Sequence, residues 1–359
     1  MMKNILTVAL VLIVAKGFAQ TDSSATSLTF SGYIETYFSY DFGKPSNHNR
    51  PLFAYSHNRH NEVNLNLGFV KAAYQKENVR ANLALMTGTY ANANLAAEPG
   101  VLKNIFEANA GVKISKKKNI WVDAGIFASH IGFESAIGKD CWNLTRSILA
   151  DNSPYYESGG KISYTSDNGK WFFSGLLLNG WQRIQRVDGN STLAFGHQLT
   201  FKPNSKITLN SSSFIGNDKP DSLKQIRYFH NFYGTFQLTD KLALATGFDI
   251  GTEQKSKGSR QYNTWYSPVV ILKISPDAKN SIALRAEYYN DVNGVIINTG
   301  TPNGFKTWGY SANYDYLIND NVIWRIEARG FSGKDKIFEN KGKSVNNNYF
   351  LTTAITISF

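Results

Sequence analysis

The sequence predicts an all-β protein, a transmembrane up-and-down antiparallel β-barrel of about 16 strands. Three observations carry that expectation. Period-two alternation recurs along the chain in stretches of about ten residues, each ended by turn residues. The connections between these stretches are alternately short and long. The final stretch, YFLTTAITISF at 349–359, is amphipathic and closes on an aromatic residue, Phe359.

The N-terminal MMKNILTVALVLIVAKGFAQ has an early Lys, an apolar run over 5–15 and small residues before a cut expected near Ala19. That pattern is a secretory signal peptide, 1–19. Its apolar run falls short of the roughly 20 residues a spanning helix needs. The rest, 20–359, is expected to be a single barrel domain, since no linker of Pro or Ser and no long helical pattern interrupts it.

The first strand shows the repeating logic. In LTFSGYIETYFSY, 28–40, Leu28, Phe30, Ile34, Phe38 and Tyr40 share one face, and Thr29, Ser31, Glu35 and Ser39 the other. NEVNLNLGFVKA places Val63, Leu65, Leu67 and Phe69 against Glu62, Asn64, Asn66 and Gly68. VRANLALMT over 79–87 and IFEANAGVKI over 105–114 read the same way, the latter with Phe106, Ala108, Ala110 and Val112 on the apolar face. Twelve further strands are expected near 120–130, 158–166, 170–182, 193–203, 205–216, 224–238, 241–254, 262–274, 280–291, 305–318, 321–332 and 347–359. Tight connections such as KEN at 76–78 and TD at 239–240 alternate with longer ones near 41–60, 92–103 and 131–157. A meander with tight turns at one end and loops at the other has this rhythm.

A soluble sandwich would also alternate. Two features favour the membrane. Aromatic residues cluster near strand ends, as interfacial girdles require: Tyr33, Tyr37, Tyr40, Trp121, Tyr155, Tyr156, Trp171, Trp181, Trp265, Tyr266, Trp308, Tyr310 and Trp324. Charges stand at mid-strand on the polar face, which is reasonable only if that face meets water. In a bilayer the apolar face meets lipid, and closure removes the unpaired edges that hydrocarbon does not tolerate.

Charge and cysteine content bound the remaining classes. The chain carries 38 Lys and Arg against 27 Asp and Glu. These charges are dispersed, with one tight cluster at Lys116, Lys117 and Lys118, which argues against a nucleic-acid partner. Cys141 is the only cysteine, so the chain holds no intramolecular disulfide. Six histidines occur, but no G-x-S-x-G elbow, G-x-x-x-x-G-K-S/T loop or C-x-x-C pair, so neither catalysis nor a bound cofactor or metal is expected.

The polar-face parity nominates a lumen. Arg80, Lys113, Lys161, Arg227, Lys273, Arg285, Arg325 and Arg329 share it with Glu35, Glu62, Glu107, Asp123, Asp249, Glu287 and Glu327. The near balance of sign predicts a weak anion preference at most. The longest loop, SAIGKDCWNLTRSILADNSPYYESGGKISY at 135–164, holds a helix-like stretch at 141–151. It is the third long loop. In general porins the third long loop folds inward, so Lys139, Asp140, Arg146 and Asp151 are expected near a constriction. The alternative is a loop that caps the barrel or packs on a neighbouring subunit.

This loop, with YFHNFYG at 228–234 and GFDIGTEQ at 247–254, resembles the β-barrel porin-2, OmpL-like family over nearly all of 20–359. The resemblance implies an outer-membrane porin of Gram-negative cells that passes small hydrophilic solutes. A final strand ending in Phe resembles the signal read by the barrel-insertion machinery. A homotrimer is implied by the same likeness. A plugged transporter with a larger barrel is not expected, because few residues separate the signal from the first strand. A structural or adhesive barrel with an occluded lumen remains the alternative function.

Overall fold

The structure is a computed structural model, and it describes residues 27–359. The expected signal peptide lies outside the described residues. Sixteen antiparallel strands close into one barrel. They are β1 (Ser27–Asp41), β2 (Val63–Lys76), β3 (Val79–Thr87), β4 (Ile105–Lys113), β5 (Asn119–Ala128), β6 (Tyr156–Thr165), β7 (Trp171–Leu178) and β8 (Ala194–Asn204). They continue as β9 (Ile207–Gly216), β10 (Arg227–Gln237), β11 (Leu242–Gln254), β12 (Tyr262–Ile274), β13 (Asn280–Asp291), β14 (Phe305–Asn319) and β15 (Val322–Gly333). Two short strands, β16 (Phe338–Asn340) and β17 (Lys343–Val345), make a hairpin in the last loop before β18 (Asn347–Ser358).

Every barrel strand pairs with its sequence neighbours, and β18 closes on β1 with Tyr33 opposite Ser358 and Asp41 opposite Phe350. The last residue takes part in the closure. Phe359 N–H donates to the Gly32 carbonyl (3.0 Å) and Gly32 N–H donates to the Phe359 carbonyl (2.7 Å). Gly32 has no Cβ, and the Phe359 ring occupies the room one would need.

The alternation of side chains sets inside and outside. On β1, Tyr33, Glu35, Tyr37 and Ser39 are buried in the lumen, whereas Phe30 and Ile34 point to the outer face. The outer face is apolar elsewhere too, with Leu83, Phe173, Phe232, Leu284 and Trp308 exposed on it. His197 and His230 also face outward, hydrogen-bonded to Ser211 and Ser213 rather than to any acid.

Among the described residues the register shifts at four places; two lie at strand ends, Leu317/Asn319 and Phe201/Asn204, and the other two lie on the β1–β4 wall. The β1–β2 register passes from Glu35 opposite Leu67 to Thr36 opposite Leu65, which leaves Asn66 as an extra residue. The β3–β4 register passes from Ala84 opposite Glu107 to Leu85 opposite Ile105, which leaves Phe106 extra. A β-bulge re-aims the side chains around it. Leu67, Phe69 and Phe106 therefore turn into the lumen, against the parity expected for them.

The expected aromatic girdle divides in the same way. Trp171, Tyr266, Trp308, Tyr310 and Trp324 are exposed on the outer face. Tyr33, Tyr37, Trp121, Tyr155, Tyr156 and Trp265 are instead buried inside the barrel. The loop-side half of the lumen holds an apolar core in which Phe214, Phe229, Trp265, Phe305, Phe331 and Phe350 pack with residues of the loops.

Candidate functional site

The loop 129–155 is drawn through the lumen rather than over it. Its backbone makes few regular bonds of its own. The helix-like stretch shrinks to a single turn, α1 (Ile148–Asp151), capped by Ser147, whose Oγ accepts from Ala150 N–H. Buried peptide groups outside a helix or sheet still need partners. Here inward side chains of the barrel supply them.

Arg325 on β15 donates to the carbonyls of Gly138 (2.6 Å) and Cys141 (2.8 Å), while Asp315 holds its Nε from β14 (2.7 Å). Glu327 accepts from Thr145 N–H (2.6 Å), and Asn313 accepts from Leu144 N–H (3.0 Å). Arg285 on β13 donates to the Thr145 carbonyl (2.7 Å), and Arg329 donates to that of Arg146 (2.6 Å). Glu287 accepts from Ile148 N–H at the start of α1 (2.6 Å). The same carboxylates pair with the same guanidinium groups, Glu327 with Arg285 (2.8 Å) and Glu287 with Arg329 (2.5 Å). Each charge is therefore buried with both an opposite charge and peptide dipoles, the condition under which burial is tolerated. A hydrogen bond to a charged group contributes about 1.5–3 kcal/mol.

Arg146 acts within the loop. It donates to the carbonyls of Ser135 (2.6 Å), Leu144 (2.7 Å) and Ala136 (3.1 Å), tying the two arms of the loop together. Asp151 receives the hydroxyls of Ser56 (3.0 Å) and Tyr155 (3.1 Å). Burial pushes its carboxyl up to about 6. Lys139 and Asp140, by contrast, are exposed to the lumen. Of the four residues nominated for a constriction, two face open space and two are internal struts of the loop.

The first long loop, 42–62, enters the mouth from above. Phe53 packs edge-on against Phe305 and Phe331, with ring centroids 4.7 and 5.2 Å away. Asn152 of the inward loop donates to the Phe53 carbonyl (3.0 Å). His57 reaches down to the Glu35 carboxylate, which also accepts from Tyr33 and from Asn66 Nδ2 (3.0 Å). Burial holds the His57 imidazole below its ordinary range, against the pull of that carboxylate. The bulge residue Asn66 thus anchors this loop.

The space left open lies on the other side of the inward loop. A cavity of about 450 Å³ separates segment 131–139 from the β1–β4 wall. Phe69, Lys71, Met86, Phe106 and Glu107 line it from the wall, and Lys139 from the loop. Lys139 also lines a second void of about 630 Å³ with Asp140, Lys273 and Asp315, bordered by the turns at 240–241 and 275–279. Lys139 stands between the two voids and lines both.

All ten residues nominated for the lining stand on inward positions of their strands. The structure divides them by use. Arg285, Glu287, Arg325 and Glu327 lie beneath the inward loop. Arg227 pairs with Glu253 (2.7 Å) and Asp218 (3.2 Å) under the loop 179–193. Asp249 is buried with Asn231 as its partner (2.5 Å). Glu107 pairs with Lys71. Arg80 pairs with Asp123 (2.6 Å) and lies over Trp121. Lys113 and Lys273 remain half-buried in the lumen. Phe69 and Phe106 escaped the parity reading because the bulges that turn them inward leave no mark in the alternation. Lys71, two residues beyond Phe69 on β2, was missed with it.

A closed membrane barrel with a loop folded through its lumen is the architecture of an outer-membrane channel. The chain belongs to the family described as "Putative beta-barrel porin-2, OmpL-like", whose model matches residues 27–359. Among solved structures, it is similar to the anion-selective porin from Comamonas acidovorans, at 10% identity and TM-score 0.60, covering 93% of this chain and 100% of that one. It is similar to OmpT of Vibrio cholerae at 9% identity and TM-score 0.61, covering 96% and 100%. The outer-membrane channel DcaP of Acinetobacter baumannii matches at 11% identity and TM-score 0.58, covering 93% and 97%. At these identities the likeness is one of fold. The chain spans about half the length of the curated relatives it matches. With guanylate kinase of Methylococcus capsulatus it shares 30% identity over 100 residues, 28% of this chain and 49% of that protein.

The closed sixteen-strand barrel and the family agree on a porin-type fold.

Proposed function

We propose that solutes cross this porin between the inward loop and the β1–β4 wall and leave past Lys139 toward the turn-side mouth. One observation carries the reading. The loop's peptide groups are bound to β13, β14 and β15, whereas the β1–β4 side keeps the 450 Å³ cavity. Lys139 and Asp140 form the constriction, and Arg146 and Asp151 hold the loop that carries them.

The fixed charges along this route are mostly self-neutralised, as Lys71 with Glu107 and Arg80 with Asp123. Lys139 and Lys273 add a modest positive field, which supports a weak anion preference at most. The closing strand supports delivery by the barrel-insertion machinery. A homotrimer is the assembly we propose, since one solved OmpT structure is described as a trimer form.

The test is single-channel conductance of the detergent-folded protein in a planar bilayer, with the reversal potential under a salt gradient. Discrete steps and a small anion-selective potential are expected. Strong cation selectivity would refute the charge reading. A folded but silent barrel would favour the occluded reading, for which the Phe53 cluster at the mouth speaks. Deleting residues that carry Phe53 would then open it.

A further inference from the structure

We infer that the cavity beside the β1–β4 wall is a binding subsite for small organic carboxylates that carry an apolar group, such as an aryl or short acyl acid. This rests on the solute path proposed above and names the class of solute that path selects.

The first ground is the lining. A route for hydrated ions alone gains nothing from apolar walls, yet Phe69, Met86 and Phe106 face this cavity. Both aromatic rings arrive there through the two β-bulges of the wall. Without those bulges the alternation would turn them to lipid. The rings stack face to face, with centroids 4.7 Å apart and planes inclined by 9°. They form one rigid apolar plate, its edges available to a ligand. The cavity volume falls within the roughly 300–1,000 Å³ typical of small-molecule pockets.

The second ground is the charge. Lys71 and Glu107 pair at the foot of the plate, and their side chains keep 27% and 15% exposure. Lys139 faces them across the cavity, and among the described residues no carboxylate lies within ion-pairing distance of it. Of the four charged side chains that line the cavity, Lys71 pairs with Glu107 and Glu134 is turned to Ser147 and Arg285, which leaves Lys139 as the one unpaired charge. An anionic head fits between Lys71 and Lys139, while an apolar body fits on the ring plate and Met86. A cation would meet the excess charge, and a neutral polyol would leave the plate unused.

The experiment uses the full folded porin in planar bilayers and reads partial block of the potassium chloride current by added phenylacetate, acetate or phenethylamine. Phenylacetate is expected to block saturably at a concentration about tenfold lower than acetate, a difference of about 1.4 kcal/mol. Phenethylamine is expected to have no such effect. Phe106→Ala should erase the advantage of phenylacetate over acetate. Lys139→Gln, at an exposed position, should weaken block by both acids without touching the plate. Equal block by phenylacetate and acetate, or equal block by phenethylamine, overturns the inference while leaving the porin intact. If the channel is silent, the porin path fails, and titration calorimetry of the detergent-folded protein with phenylacetate decides the subsite. Binding that Phe106→Ala abolishes supports it, and no binding overturns it.

Discussion

On the β13–β15 wall, Arg285, Glu287, Arg325, Glu327 and Arg329 are each 4% exposed or less. On the β1–β4 wall, Lys71 and Glu107 keep a quarter and a seventh of their side chains in the open lumen. Both walls are built from strands with apolar residues outside and opposed charges inside. The difference is what lies against them. One wall meets a loop whose carbonyls and amides need partners, so its charges become structural. The other meets a cavity, so its charges remain available to solutes. Charge on the inner face of a barrel is therefore not in itself evidence of a pore lining. What decides is whether a second piece of chain has spent it.

The sharpest way to break this comparison is to release the loop. Glu327→Ala removes the acceptor for Thr145 N–H and leaves Arg285 without its 2.8 Å partner. Arg285 keeps Glu287 at 3.4 Å and Glu134 at 3.7 Å, so the loss falls below the about 3–5 kcal/mol of a fully uncompensated buried charge. The loop should undock, conductance should rise, and the unfolding midpoint in urea should fall. Unchanged conductance would mean that the loop does not set the pore.

Arg146→Met is expected to cost about 3 kcal/mol, because three buried carbonyls lose a charged donor. The change lies within the loop, so the barrel should stay closed. Limited proteolysis is expected to cut within 129–155 in the variant and not in the parent.

Asp151 offers a gentler perturbation. Its folded carboxyl titrates at about 6, above the ordinary 3.8. The folded state therefore binds this proton more tightly than the unfolded chain does. Its contribution, roughly 3 kcal/mol in full, is present below about pH 4 and is lost as pH rises through about 6, with about 1–2 kcal/mol left at pH 5. Contact between the loops 42–62 and 129–155 should be tighter at pH 5 than at pH 7.5, read as resistance to protease. Asp151→Asn should flatten that dependence; a persistent dependence would place it elsewhere.

Lys139→Glu should leave stability within about 0.5 kcal/mol, as for an exposed side chain. It should move the reversal potential toward cation preference by several millivolts. No movement would remove Lys139 from the solute path.

Much of the barrel was legible in the sequence, because its code is local. Alternation names the strands, and short and long connections order them. The lumen was legible only as parity. That reading placed Arg285 and Glu107 on the same footing, since no property of a strand records which loop will lie across it. Phe69 and Phe106 were assigned to lipid because each bulge inserts one residue, Asn66 or Phe106 itself, and one residue reverses a face. The girdle reading erred for a related reason. Trp121 and Trp265 sit near strand ends, as belt residues do, but on inward positions, where they cover Arg80 and pack below the loop-side mouth. The inward loop itself was expected on analogy. What holds it there, peptide groups bound by strand-borne arginines and glutamates, has no signature short of three dimensions.

The central claim is that solutes pass along β1–β4 and not along β13–β15. Cysteine accessibility tests it most directly, because the native thiol is buried and burial pushes it up to about 11, leaving it unreactive. Glu107→Cys and Ser311→Cys place one thiol on each wall, the second beneath Asn143 of the inward loop. Under a charged methanethiosulfonate reagent, single-channel current is predicted to fall for Glu107→Cys and to stay unchanged for Ser311→Cys and for the parent. Block at position 311 with none at 107 would contradict the account.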